Sequence, residues 1–186
     1  MDTHHTIRSA DGTRIAIQTQ GSGDALVLIE PPLRDRTWSA FAGLNPRLAK
    51  EFSVVTYDRR GRGESTDTLP YSPEREVEDL AAVLDAVGGT AHIYSHSSGA
   101  LLALHGAAAG LPIRRMALLE PPLHDPEHDF TQPDPLTRRL DELIEQDRRD
   151  EAILHFHRSI GVPEEFLEAM MDAPDWAAKR SMAHTL

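Results

Sequence analysis

The sequence contains no cysteine. A disulfide framework and a thiolate metal site are therefore both excluded. No apolar run approaches the ~20 residues needed to cross a hydrocarbon core. The opening residues, Met1-Asp2-Thr3-His4-His5, lack both the basic stretch and the apolar segment of a secretory signal. Basic residues are scarce as well: 19 Lys and Arg stand against 30 Asp and Glu, a formal net charge of -11. Nucleic acids and anionic membranes both require a basic face, so neither is expected as a partner. Metal-ligand spacing is missing too. His155-Phe156-His157 is the closest approach, but helical residues two apart point in nearly opposite directions. No metal or other cofactor is expected, and the expected location is the cytoplasm.

The chain does contain an ordinary globular composition, 40% hydrophobic and 26% charged over 186 residues. Ala25-Leu26-Val27-Leu28-Ile29, Phe52-Ser53-Val54-Val55-Thr56-Tyr57, Ile93-Tyr94-Ser95 and Arg115-Met116-Ala117-Leu118-Leu119 read as apolar strands. Two shorter strands, His5 to Ala10 and Arg14 to Thr19, precede them around Asp11-Gly12. Helical patterns fall between the apolar strands: Thr37 to Ala49; a helix capped by Ser72 and started by Pro73, with Val77, Leu80, Ala81, Leu84 and Val87 as its stripe; and a nearly all-apolar helix from Ala100 to Gly110, expected to be buried with His105 in the core. Strands alternating with helices from Ala25 to Glu120 predict an α/β fold with a mostly parallel sheet and crossover helices. From His124 onward the pattern is helical only, dividing the chain into a core at 1–123 and a helical segment at 124–186.

The chemistry centres on Ile93-Tyr94-Ser95-His96-Ser97-Ser98-Gly99-Ala100, an apolar strand running through small residues into a helix. A small-x-Ser-x-Gly turn in that setting pushes one serine hydroxyl above the sheet, with a helix N-terminus behind it to favour negative charge. Ser97 holds the apex, and the N–H of Ser98 follows it. The plain alternative is a Ser/Gly-rich turn that binds nothing. Glu30 and Glu120 end the strands expected on either side of the Ser97 strand, each about 4.8 Å away laterally. They are either solvated strand-end acids or carboxylates flanking the serine, Glu120 serving as a possible triad acid. His124 and His128 follow Glu120 in an acidic loop, free in solvent or able to swing over the site. His157 reads as a packed helix residue. Asp58-Arg59-Arg60-Gly61-Arg62-Gly63-Glu64-Ser65 lacks the Gly-Lys-Ser/Thr ending of a phosphate loop and reads as a structural turn held by Asp58–Arg pairing.

Together the serine turn at Ser95-His96-Ser97-Ser98-Gly99 and the turn Tyr57 to Ser65 resemble the α/β-hydrolase superfamily. Glu74-Arg75-Glu76-Val77-Glu78-Asp79-Leu80 and Ala117-Leu118-Leu119-Glu120-Pro121-Pro122 are further similar to a bacterial subgroup whose turn reads Gly-His-Ser-Ser-Gly. The resemblance implies a three-layer fold with a helical lid at 124–186 and a serine hydrolase acting on an ester or similar acyl bond of a small apolar or acyl substrate. Ser97 would be the nucleophile, and Ser98 would supply half of the oxyanion hole. Three departures accompany it. The family orders its triad Ser, Asp or Glu, then His, with the histidine after the last strand. The resemblance thus implies that the chain stops before the last two strands of the family's sheet, and that the histidine comes from residues beyond Leu186 or from a partner chain. The second oxyanion donor normally follows a His-Gly, but here Glu30-Pro31-Pro32 puts a proline without an N–H in that place, leaving Leu33 as the substitute. Ser95 stands where the turn usually has glycine. Two rival readings stay open: a catalytically degenerate fold that binds a ligand or protein, and a lyase or isomerase using Glu30 or Glu120 as base. An unpaired sheet edge at Met116–Glu120 further predicts a homo-oligomer that covers it.

Overall fold

Residues 3–123 and 134–186 are described by the structure, a computed structural model. They form β1 (Thr3–Arg8), β2 (Arg14–Gly21), β3 (Ala25–Ile29), α1 (Asn45–Leu48), β4 (Ser53–Tyr57), α2 (Pro73–Ala86), β5 (Ala91–His96), α3 (Ser98–Ala108) and β6 (Ile113–Leu119). Four further helices follow: α4 (Pro135–Glu145), α5 (Arg149–Ser159), α6 (Glu164–Met171) and α7 (Trp176–Met182). The strands join in one sheet of order β1-β2-β4-β3-β5-β6. β1 and β2 run antiparallel to their neighbours, and β3, β4, β5 and β6 are mutually parallel. The parallel sheet with crossover helices predicted from the apolar alternation is present.

Period-two alternation gives the sheet two buried faces. Val27 and Ile29 of β3, Val55 and Tyr57 of β4 and Ile93 of β5 pack with Leu80, Val83, Leu84, Leu102 and Ala103 of α2 and α3. Leu26 and Leu28 turn to the other face and meet Val54, Phe41, Leu44 and Leu48. Tyr94 of β5 completes that side with an edge-on contact to Phe41, ring centroids 5.3 Å apart. β5 is thus flanked by β3 and β6, which places the ends of all three strands side by side.

Several predicted elements differ in extent. The pattern over Thr37–Ala49 predicts a full helix, but only Asn45–Leu48 forms one. The amides upstream are drawn to side chains: Thr37 and Trp38 donate to Asp35 Oδ1, Ala40 to Glu30 and Phe41 to Ser39 Oγ. Such local bonds displace the helical ladder. β1 runs Thr3–Arg8 rather than from His5 to Ala10, because Ser9 already exchanges turn bonds with Gly12 and Thr13. α3 is buried along one face only, through Gly99, Ala100, Leu102, Ala103 and Gly106, and His105 is exposed instead of lying in the core. On α2 the predicted N-terminus at Ser72-Pro73 forms, and Val83 takes the fully buried place assigned to Ala81.

The chain divides into two compact units, residues 1–123 and 124–186. The second is helical throughout its described residues. Asp134 caps α4 by accepting from Leu136 N–H, as the Asp-Pro pair predicts. Leu140 and Leu143 then pack on Ala152 of α5, with Phe156 and Leu186 beside them. His157 Nδ1 lies 2.7 Å from the Ile153 carbonyl, the packed role its helix position predicts. Among the described residues no helix is long and apolar enough to cross a membrane.

Candidate active site

Ser97 occupies the junction between β5 and α3. Its backbone stands at φ +55° and ψ -123°, outside the regions open to ordinary L-residues. A conformation of this kind costs about 1–3 kcal/mol and persists only where the surroundings enforce it. Here they do. Ser97 N–H donates to the Leu119 carbonyl at the end of β6, and Ser97 carbonyl accepts from Ala100 N–H, starting α3. Gly99 allows the close approach: a Cβ there would lie 2.5 Å from the Ile29 carbonyl oxygen and 2.9 Å from that of Glu30. Ser95, two residues back on β5, is completely buried, so a larger residue would meet the core. The small residues of the motif thus have separate steric reasons, and together they present Ser97 at the sheet's C-terminal edge with the α3 dipole behind it.

Glu30 ends β3 on one side of this turn. It is only 1% exposed, and both carboxylate oxygens are occupied, one by Ser39 Oγ–H and the other by Ala40 N–H. Burial pushes its carboxyl above the usual range in spite of those bonds. The residue is therefore neither a solvated strand-end acid nor an acid open to the site, because the loop at 37–41 folds over its side chain. After it come Pro31 and Pro32, which offer no N–H. Leu33, buried at φ +55°, carries the first amide beyond them.

Glu120 ends β6 on the other side. Its side chain is largely exposed, and its Oε2 lies 3.5 Å from His96 Nε2. Among the described residues, the ionisable side chain within reach of this acid is thus the histidine that precedes Ser97. The two flanking acids predicted from sequence do sit on the neighbouring strands, in different environments. His124 and His128 fall outside the described residues. Among the described residues no histidine ring is hydrogen-bonded to Ser97, and no group of three His, Cys, Asp or Glu could hold a metal.

The turn after β4 is a structural turn held by an Asp58–Arg pair, as the sequence pattern predicts. Asp58 does pair with an arginine, but that residue is Arg36, which donates from its backbone N–H and from Nη2. Gly63 closes the turn against the same carboxylate, at φ +52°, where a Cβ would strike it. Arg59, Arg60 and Arg62 point inward instead. Arg59 pairs with Glu76, Arg60 with Asp79 and Asp11, and Arg62 Nη1 donates to the Pro31 carbonyl. Glu76 and Asp79 lie on the sheet-facing side of α2 and are buried there. Burial alone would raise the Glu76 carboxyl, but Arg59 and Arg62 hold it below its usual range. Arg62 is buried beside a like charge, Arg59, and its guanidinium falls to about 10. All three arginines are committed to the interior, so they form no open cradle for a phosphate.

This geometry agrees with what the chain resembles. The model of the alpha/beta hydrolase family matches residues 25–185. A solved structure of an alpha/beta hydrolase from Sphaerobacter thermophilus is 46% identical, with a TM-score of 0.84, covering 98% of this chain and 70% of that one. An N-formylmaleamate deformylase from Pseudomonas putida is 34% identical over 127 residues, 63% of this chain and 45% of its own length. A putative carbamate hydrolase from Caulobacter segnis is 43% identical over 56 residues, 28% of this chain and 21% of its own. The chain thus spans less than half the length of these curated relatives. With its sheet order, its strained serine turn and a family match over most of its length, the chain belongs to the alpha/beta hydrolase family.

Proposed function

We propose that the chain hydrolyses an ester or similar acyl bond, with Ser97 as nucleophile. The observation that carries this reading is the Ser97 backbone at φ +55° and ψ -123°, held between the Leu119 carbonyl and the first turn of α3. Strain of this kind is retained where it aims a side chain. The relatives named as a deformylase and a carbamate hydrolase support acyl-bond cleavage as the reaction class. Ser97 Oγ would attack the acyl carbon, forming an acyl-enzyme as the alcohol or amine departs. Water would then release the acid. The oxyanion would be met by Ser98 N–H, with Leu33 N–H the candidate second donor. A histidine base, which the family supplies from beyond its last strand, would come from outside residues 1–186 or from a partner chain.

The test is labelling with a fluorophosphonate probe followed by peptide mapping. Modification of Ser97, abolished in Ser97→Ala, is the expected result, and a Ser97 left unmodified both in this chain and in one extended past Leu186 overturns the reading. A binding-only role is the second reading, favoured by Pro32, since loss of one oxyanion donor costs about a hundredfold or more in rate. It predicts no labelling and ligand affinity unchanged by Ser97→Ala. A lyase or isomerase base drawn from Glu30 is disfavoured, because both its oxygens already accept hydrogen bonds inside the loop. Glu120 is the exposed carboxylate beside the turn.

A further inference from the structure

The proline loop at Glu30–Leu33 and the start of α3 belong to different elements, and one side chain touches both. Arg59, 5% exposed, donates from Nη1 to Ser98 Oγ at 2.9 Å and to the Glu30 carbonyl at 3.1 Å. Its other edge is fixed by Glu76, which accepts from Nε at 2.7 Å and also pairs with Nη2. Glu76 is itself anchored on α2 and accepts from the Tyr71 hydroxyl at 2.8 Å through its second oxygen. The guanidinium is planar and cannot turn without breaking bonds on both edges.

We infer that Arg59 is a positioning residue, holding the proline loop and the Ser97 turn in one fixed geometry. The inference rests on the Ser97 reading for its consequence, though not for its physical basis. Pro31 and Pro32 have no amides with which to tie the loop down. The loop is gripped through its carbonyls instead, Glu30 by Arg59 and Pro31 by Arg62 Nη1 at 2.8 Å. A structural ion pair would need only the Glu76 edge. The Nη1 edge reaches the two segments that carry the candidate oxyanion donors, Leu33 N–H and Ser98 N–H. Ser98 thereby acquires a separate role for its hydroxyl, which accepts from Arg59 while its amide faces the reaction. With a hydrogen bond to a charged donor worth roughly twice a neutral one, this tie stiffens the turn at its first helical residue.

Amide hydrogen exchange and labelling kinetics, measured on the whole chain for Arg59→Met, Arg59→Lys and Ser98→Ala, test the inference. Arg59→Met is expected to speed exchange in both segments, 30–35 and 95–101, while β4 keeps its wild-type protection. Ser98→Ala, which retains the amide and the helix, is expected to loosen 95–101 alone. In two-step fluorophosphonate kinetics at Ser97, both are expected to slow the covalent step by roughly tenfold to a hundredfold with probe affinity unchanged. Arg59→Lys can reach only one acceptor and should restore one segment. Wild-type exchange in both segments of folded Arg59→Met overturns the inference. Where Arg59→Met does not fold, wild-type exchange at 95–101 in Ser98→Ala overturns it. If wild-type Ser97 resists labelling both in this chain and in one extended past Leu186, the nucleophile reading fails, and the exchange data still decide whether Arg59 holds the two segments together.

Discussion

Gly99 stands where α3 comes closest to the end of β3, and its missing side chain sets that distance. An added Cβ would sit 2.5 Å from the Ile29 carbonyl oxygen, a backbone atom that cannot swing aside. Gly99→Ala should therefore push α3 off the sheet or distort the Ser97 turn. Overpacking of this sort costs about 1–3 kcal/mol, and at this chain length each kcal/mol lowers the melting temperature by roughly 2–4 °C. Gly43→Ala is the control, since nothing lies within 4 Å of a Cβ there. Thermal melts of the two variants should separate clearly, and equal melting temperatures would contradict the close-approach account. The steric demands at Ser95, Ser97 and Gly99 were readable because they are written in local residue size. The positive φ of Leu33 and Glu120 was not readable, because neither residue type signals it. The burial of Glu30 escaped for another reason: it depends on a loop ten residues downstream that folds over the side chain.

Among the elements, α2 forms as its sequence pattern predicts but buries two residues that the pattern assigns to solvent. Its apolar stripe predicts the face toward the core, and that face forms, yet Glu76 and Asp79 lie on it as well. A carboxylate in a helix is ordinarily assigned to solvent. Only the inward arginines of the β4 turn make these two acids core residues, and that pairing joins segments about twenty residues apart. Arg60 is fully buried and held bidentately by Asp79, so Asp79→Ala would strip two of its charged hydrogen bonds and leave Asp11 as its remaining carboxylate partner. Breaking one side of such a pair costs about 3–5 kcal/mol, whereas replacing both partners with apolar residues is often close to neutral. Urea denaturation should show a large loss for Asp79→Ala and recovery for Arg60→Met/Asp79→Leu; no recovery would assign Arg60 a role apart from Asp79. The same cluster shapes the acid limb. Burial alone would raise the Asp11 carboxyl, but the Thr13 N–H and hydroxyl and Arg60 draw it down to about 2. A carboxyl depressed on folding contributes stability that is complete above its unfolded pKa, about 4, and is lost as pH falls toward the folded value. Glu76, lowered mainly through Arg59 against its own burial, adds in the same direction. Glu30 and Asp79, both raised by burial, act oppositely, their penalty lifting as they take up a proton. Melting temperature should therefore drop between pH 4 and 2, and Asp11→Asn should flatten that limb.

At the scale of the whole molecule, the alternation of apolar strands and helices was enough to read the parallel sheet, because each buried strand must be covered on both faces. Among the described residues, β6 is the outermost strand on that side of the sheet. Its outer edge has no partner strand among the described residues, and Met116 and Leu119 are 37% and 43% exposed. An apolar groove of about 630 Å³, lined by Leu26, Leu48, Phe52, Tyr94, Met116 and Ala117, runs beside that edge. Open edges of this kind recruit another strand unless blunted by charge, proline or a covering element. The proposal of a homo-oligomer has a specific form here. A two-fold axis through Ala117 would place Arg114 of each copy opposite Glu120 of the other, and Met116 opposite Leu118, so opposite charges meet at both ends of the paired strands. Cross-strand pairs of these types contribute roughly 0.2–1 kcal/mol each, with the groove adding apolar burial. Light scattering at micromolar concentration should then report a dimer. Leu119→Lys, which adds a charge at an already exposed position on that edge, should shift it toward monomer without lowering the melting temperature of the monomer itself. Reversing Arg114→Glu should weaken the dimer, and pairing it with Glu120→Arg should restore it. A wild-type chain that stays monomeric across that concentration range removes self-pairing through β6.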